Sequence, residues 1–525
     1  MSVTAKNPIL PGFYPDPTFC AVGDDYYIVN SSFSYFPGLP ILHSKDLAHW
    51  EQIGNVLDRA SQLPLKNSGV SRGLFAPTLR FHDGKFYCIC TNVSFGGNFI
   101  VTAENPEGPW SEPVYIKDAD GIDPSIFFDD DGKMYYTGTH PNPEGEKHNG
   151  DWYIYVQEMD RETFQLIGEP HNVWNGAMRN VIWPEGPHLF KKDGYYYIMH
   201  AEGGTGPDHC ESICRSENVY GPFVGFPKNP IITHRHLGKN YPIQYVGHAD
   251  MIETSKGEFF MIMLAVRPLE TYTTMGRETF IAKVEWEDGW PVVNPGVGML
   301  TDTVEIDLDE WIPEKDASSF TSRTESLTRP PFGSKKYDFT KMTKLGCEFM
   351  AFRNPKDTMY KLSDKGLELN YDKCDLTAED EMSFLCIRQQ HHSFDLTTEI
   401  ALDSLKDEYA AGITVLQNNL YNLRVEVKGG NVSAVLCQDG KDEVKGSATL
   451  KEVADADTVK LEIRIRGLKA ELYAGDKKLG EANVKNLSTE VAGGFVGCTV
   501  GLYANAGGSE TSDYAAFRTF EYIAE

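Results

Sequence analysis

The sequence predicts an all-β protein, with a five-bladed β-propeller over residues 1–310, a linker over 311–335 and a β-sandwich over 336–525. Three observations carry this. A polar turn followed by a short aromatic strand recurs five times in the first 300 residues. Few segments show helical spacing. Beyond the linker, alternating apolar and polar runs are separated by turn residues.

The five repeats come first in the chain. They read Asp24-Asp25-Tyr26-Tyr27-Ile28-Val29, Asp83-Gly84-Lys85-Phe86-Tyr87-Cys88, Asp131-Gly132-Lys133-Met134-Tyr135-Tyr136, Asp193-Gly194-Tyr195-Tyr196-Tyr197-Ile198 and Lys256-Gly257-Glu258-Phe259-Phe260-Met261. Asp-Gly between apolar runs marks a hairpin, because the tight turn needs positive φ. A second element, such as Ser44-Lys45-Asp46-Leu47-Ala48-His49-Trp50, follows most copies. The spacing of about 48 to 63 residues suits a propeller blade of several short strands.

Eight residues before the five turns stand Asp16, Phe75, Asp123, Glu185 and His248. Each begins the strand that leads into its hairpin. In a propeller that strand lines the central channel, so the five positions converge there. Carboxylates crowded together repel, and burial raises their pKa values, which is costly for folding and useful for catalysis. Taken singly, an Asp before Pro is ordinary turn chemistry; the shared phase is what points to a site.

Paired carboxylates of this kind suit glycoside hydrolysis. Asp16 and Glu185 come from blades one and four, which are not adjacent, leaving room for a water and hence inversion. Asp123, from the neighbouring blade three, is placed to keep Glu185 protonated by like-charge repulsion. The loop Ala201-Glu202-Gly203-Gly204-Thr205-Gly206 lacks the Lys-Ser/Thr of a phosphate loop and reads as a tight turn at the channel mouth. Arg267 ends an apolar strand of blade five and is a candidate cation for a sugar hydroxyl or a carboxylate. Phe33, Tyr35 and Phe36 are candidate walls.

Composition narrows the partners. A net charge of −27 argues against a broad nucleic-acid or anionic-membrane surface. The first residues have no apolar targeting core, and the most apolar stretch, 259–266, is too short to span a bilayer. The ten cysteines show no zinc-type double pair, so Cys88/Cys90 and Cys210/Cys214 read as buried thiols. Together these features predict a cytoplasmic protein. Homo-oligomerisation is left open.

The motifs Asn7-Pro8-Ile9-Leu10-Pro11-Gly12-Phe13-Tyr14-Pro15-Asp16-Pro17, Gly121-Ile122-Asp123-Pro124-Ser125, Trp183-Pro184-Glu185-Gly186-Pro187 and Gly247-His248-Ala249-Asp250 resemble glycoside hydrolase family 43. The likeness extends over nearly the whole chain and is similar to the two-domain β-xylosidase and α-L-arabinofuranosidase branch. The resemblance implies an inverting, exo-acting hydrolase of terminal pentoses on xylo- or arabino-oligosaccharides. Asp16 would be the general base, Glu185 the general acid, and Asp123 the residue that tunes and positions the acid. It further implies substrate contacts from Phe33, Thr205 and Arg267. No cofactor is required, although His248 matches a channel histidine that in some members helps hold a water-coordinated calcium ion.

Phe75 departs from the Trp or Tyr often found before Ala-Pro, which bears on the choice between xylose and arabinofuranose. The second domain would be a concanavalin-like sandwich whose loop Gly493-Gly494-Phe495-Val496-Gly497 reaches the site with Phe495. Two alternatives are a non-catalytic carbohydrate-binding propeller and a retaining fructosidase-like enzyme. The latter usually carries an Arg-Asp-Pro motif, absent here.

Overall fold

A computed structural model, describing residues 2–313 and 332–525, contains five four-stranded antiparallel sheets followed by two eight-stranded ones. The innermost strands of the five blades are Thr18–Val22, Thr78–His82, Ile122–Phe128, Glu185–Lys192 and Gln244–Glu253. Each turns back into the aromatic strand that follows. At Asp83-Gly84 and Asp193-Gly194 both turn residues have positive φ, the geometry for which Asp-Gly is selected.

The second strand of each blade is packed on both faces, because a blade lies between two neighbours. Phe259–Val266 shows how the two-residue period serves this. Phe260 and Ile262 enter the apolar cluster shared with blade one, while Met261, Met263 and Ala265 enter the cluster shared with blade four. Each fully buried large side chain of this kind contributes about 1.5–3 kcal/mol. Near the chain start, Val3–Lys6 pairs with Thr303–Ile306, and Leu10 bridges to Thr279 of blade five, so the first segment fastens onto the last blade.

Most of the predicted linker, residues 314–331, lies outside the described residues. The sandwich begins with Lys335–Asp338, paired to the long strand Tyr514–Ala524. Its core is a single cluster drawn from both sheets, including Ile413, Val425, Leu461, Ile463 and Phe517. The alternating run at 458–465 forms the strand Thr458–Arg466, with Lys460 and Arg464 facing out. One sandwich sheet ends on a strand borrowed from the propeller: Tyr35–Phe36, in a loop of blade one, pairs with Met350–Phe352. The two domains thus share a sheet beside the mouth of the central channel.

Candidate active site

The five ring positions meet at one end of the channel as expected from their phase. Asp16, Asp123 and His248 share one backbone conformation, with φ of 49°, 53° and 55°. Left-handed non-glycine residues are uncommon and cost about 1 kcal/mol each, and they gather where a side chain must be aimed. Bulges accompany the turn, with register shifts between Ile122 and Ser125, Glu185 and His188, and Gly247 and Ala249. At Glu185 the twist moves to its neighbours, Trp183 (φ 46°) and Gly186 (φ 57°). Gly186 is required on two counts: its φ, and a Cβ there would come 2.9 Å from the His248 ring. Thr139 of blade three donates a 2.6 Å hydrogen bond to the Pro184 carbonyl, fixing the turn that presents Glu185.

Asp16, Asp123, Glu185, His248, Phe33, Phe75, Thr205 and Phe495 all line one cavity of about 430 Å³. Phe33 stacks on Phe495 at 6.0 Å, and Phe75 meets both rings edge-on. Phe495 is 40% exposed, so it belongs to the cavity wall and not to the sandwich core. Thr205 offers a buried Oγ1 with no hydrogen-bond partner among the described residues. Gly204 has no side chain because the Trp183 ring lies where its Cβ would be, at 2.7 Å.

Arg267 does not reach this cavity. It follows the strand Phe259–Val266 and forms a two-pronged ion pair with Glu278, 2.8 Å on each arm. Glu278 is fully buried and needs that cation. The cation in the cavity is Arg277, which immediately precedes the third strand of blade five, Glu278–Glu287. Its Nη1 lies 2.6 Å from Asp16 Oδ1, and its guanidinium sits 5.6 Å from the centres of both Phe33 and Phe495. The phase of the inner strands does not mark it, because its long side chain reaches in from the edge of another strand. Trp152 and Trp183 complete the lining. Trp183 was visible only as part of the Trp-Pro-Glu motif.

The carboxyls are pushed apart in ionisation. Burial drives Asp16 up, but Arg277, His248 and the Ser31 hydroxyl, which donates to Oδ2 at 2.6 Å, hold it below the ordinary aspartate value. Glu185 goes the other way. Burial, then the Asp16 charge, raise it from 4.5 to about 7, against partial relief from Arg277. Burial and the neighbouring Glu185 push Asp123 well up, although the Gly186 N–H donates to it. At mildly acidic pH one carboxylate and two carboxylic acids therefore face one another. Asp123 influences Glu185 less as a fixed negative charge than as a neighbour competing for ionisation.

Deeper in the channel Arg80 pairs with Asp250 at 2.8 Å and donates to His188 Nδ1 at 2.9 Å. Asp250 also accepts from Thr18 and the Phe19 N–H. This network joins the inner strands of four blades. It separates the catalytic cavity from a second one, about 340 Å³, at the opposite end of the channel. The donor set does not fit a directly ligated calcium, which takes six to eight oxygens. His248 faces Arg277 and Asp16, and Asp250 is committed to Arg80. Among the described residues no group of three or more His, Cys, Asp or Glu side chains is arranged for a metal.

Known proteins resemble the chain over nearly its whole length. The profile of glycosyl hydrolases family 43 matches residues 5–291, and that of the β-xylosidase C-terminal concanavalin A-like domain matches 336–523. A xylosidase/arabinosidase of Butyrivibrio fibrisolvens is 47% identical, covering 99% of both chains. A non-reducing-end α-L-arabinofuranosidase of Bacteroides ovatus is 35% identical over 99% of this chain and 94% of its own. The crystal structure of a xylan β-1,4-xylosidase from Bacillus halodurans superposes with a TM-score of 0.88 at 32% identity, covering 99% of this chain and 100% of the other. With three carboxyls in one propeller channel, a concanavalin-like second domain and similarity over nearly its whole length, the chain belongs to glycosyl hydrolase family 43.

Proposed function

We propose that Asp16 is the general base and Glu185 the general acid of an exo-acting, inverting hydrolysis that releases terminal β-D-xylose and α-L-arabinofuranose from xylo- and arabinoxylo-oligosaccharides. The observation that carries this is the split in ionisation between two carboxyls lining one cavity. Ionised Asp16 takes a proton from a water, whose oxygen attacks the anomeric carbon. Protonated Glu185 gives its proton to the departing glycosidic oxygen. Attack and departure on opposite faces invert the anomeric centre. Asp123, itself pushed up by burial and by Glu185, accepts from the Gly186 N–H and so holds the turn that aims Glu185.

The plug of Arg80, Asp250 and His188 closes the channel below the site, so the sugar enters from the mouth alone. Thr205 Oγ1 and the Arg277 Nε–H, both buried without partners among the described residues, are available to sugar hydroxyls. The rings of Phe33, Phe75 and Phe495 supply apolar faces for the sugar. Names of relatives include both xylosidase and arabinofuranosidase, which supports proposing both activities. A panel of p-nitrophenyl pentosides, with ¹H NMR of the first-formed anomer, tests the proposal. Turnover of the β-xyloside giving α-xylose first is expected; β-xylose first would refute inversion.

The ten cysteines, none in a disulfide, support a reducing compartment such as the cytoplasm, which cell fractionation would test. Among the described residues no helix is long and apolar enough to cross a membrane.

A further inference from the structure

Two backbones from different domains meet at Arg277. Gly276 and Gly497 touch so closely that a Cβ on Gly276 would sit 2.6 Å from the Gly497 nitrogen, and a Cβ on Gly497 would overlap the Met275 carbonyl. Around this contact the blade-five loop and the sandwich loop 488–498 are joined by hydrogen bonds. The Thr489 N–H donates to the Thr273 carbonyl at 3.0 Å, and the Cys498 N–H to the Thr274 carbonyl at 2.8 Å. Glu490 accepts from the Thr273 N–H at 2.7 Å and from its hydroxyl at 2.8 Å. The Phe495 N–H donates to Ser71 Oγ at 2.8 Å, which ties the loop to blade two's entry as well.

The consequence reaches the base. Arg277 Nη1 faces Asp16, while Nη2 donates to the Phe495 main-chain carbonyl at 3.2 Å. We propose that the sandwich loop 488–498 is part of the general-base machinery: its Phe495 carbonyl fixes the Arg277 guanidinium against Asp16, so the base works only when the second domain is docked. Phe495 then has two separable functions. Its ring walls the sugar site, and its carbonyl positions a cation. Glu490, Gly276 and Gly497 are positioning residues that act through Arg277. This rests on Asp16 as general base.

The charged and polar groups facing Asp16 come from four blades. Arg277 and His248 belong to blade five, Glu185 and His209 to blade four, Asp123 to blade three and the Ser31 hydroxyl to blade one. Arg277 is the cation among them that depends on the second domain; a loop shift moves it and leaves the others in place. Loss of such a charge contact raises a carboxylate pKa by about one to three units.

The test compares Gly497→Ala, Glu490→Ala and Phe495→Ala in the full chain, with pH profiles of kcat/KM on p-nitrophenyl β-D-xyloside and thermal melting to verify folding. Gly497→Ala is expected to lower kcat and move the acid limb up by about one to three pH units. Glu490→Ala is expected to move it in the same direction by less, and this exposed residue carries the test if Gly497→Ala fails to fold. Phe495→Ala keeps the carbonyl, so KM rises and the acid limb stays. An unmoved acid limb in folded Glu490→Ala and Gly497→Ala, with Asp16→Asn inactive, overturns the inference. Wild-type turnover by Asp16→Asn would instead overturn the base assignment beneath it.

Discussion

Replacing Glu185 with Gln separates the energetic consequence of the site from its chemistry. The Glu185 carboxyl is raised from 4.5 to about 7 by burial and by the Asp16 charge. A group raised in the folded state stabilises the fold below its unfolded value and loses that contribution as pH climbs through the folded value. Between pH 4.5 and 7 the wild type therefore loses about 3 kcal/mol relative to a chain that cannot ionise there. Gln keeps the shape and removes the ionisation. Asp123 reclaims part of the gain, because it ionises more readily beside a neutral amide, leaving a net of about 1–3 kcal/mol. Urea denaturation at intervals from pH 4 to 8 measures it. Glu185→Gln is expected to match the wild type near pH 4 and exceed it increasingly toward pH 8. A difference that stays flat across this range would refute the raised Glu185 and the reasoning from burial.

Asp16→Asn is expected to lower kcat by about 10²–10⁴-fold on aryl pentosides with the fold retained, as loss of a general base does. The wild-type profile of kcat/KM falls on the alkaline side near pH 7, where Glu185 ionises, and on the acid side below the ordinary aspartate range, where Asp16 protonates; an alkaline limb above pH 9 would contradict it. Arg277→Met lowers kcat and moves the acid limb up, whereas Arg267→Met leaves the limb in place and destabilises the fold by about 3 kcal/mol, since buried Glu278 loses its partner. Dialysis against EDTA leaves kcat unchanged if no bound metal takes part, and a loss restored by calcium would show that the channel holds a working ion.

The ring of five positions was legible because a propeller repeats its geometry: the same phase in each blade puts a residue at the same height of one channel. Asp16, Asp123, Glu185 and His248 needed only that. Arg277 was not legible by this route, since it enters from the third strand and spans the gap with its side chain. Arg267 and Arg277 flank the same loop, and nothing in their neighbours says which turns inward; buried Glu278 decides it by claiming Arg267. Phe495 was reached through family likeness alone, because no periodicity relates a sandwich loop to a propeller channel. The channel plug is hidden in the sequence for a different reason. Arg80 and His188 lie on separate blades and look like ordinary strand residues until the ring closes, and Asp250 stands out only as the end of the Gly-His-Ala-Asp motif.

The assignment of acid and base is tested most directly by leaving-group dependence in Glu185→Gln. A leaving group that departs as a stable anion needs no proton, so loss of the acid matters little; an alkoxide leaving group needs one. The account predicts that Glu185→Gln hydrolyses 2,4-dinitrophenyl β-D-xyloside within about tenfold of wild type while losing about 10²–10⁴-fold on xylobiose. Equal losses on both substrates would contradict Glu185 as the proton donor.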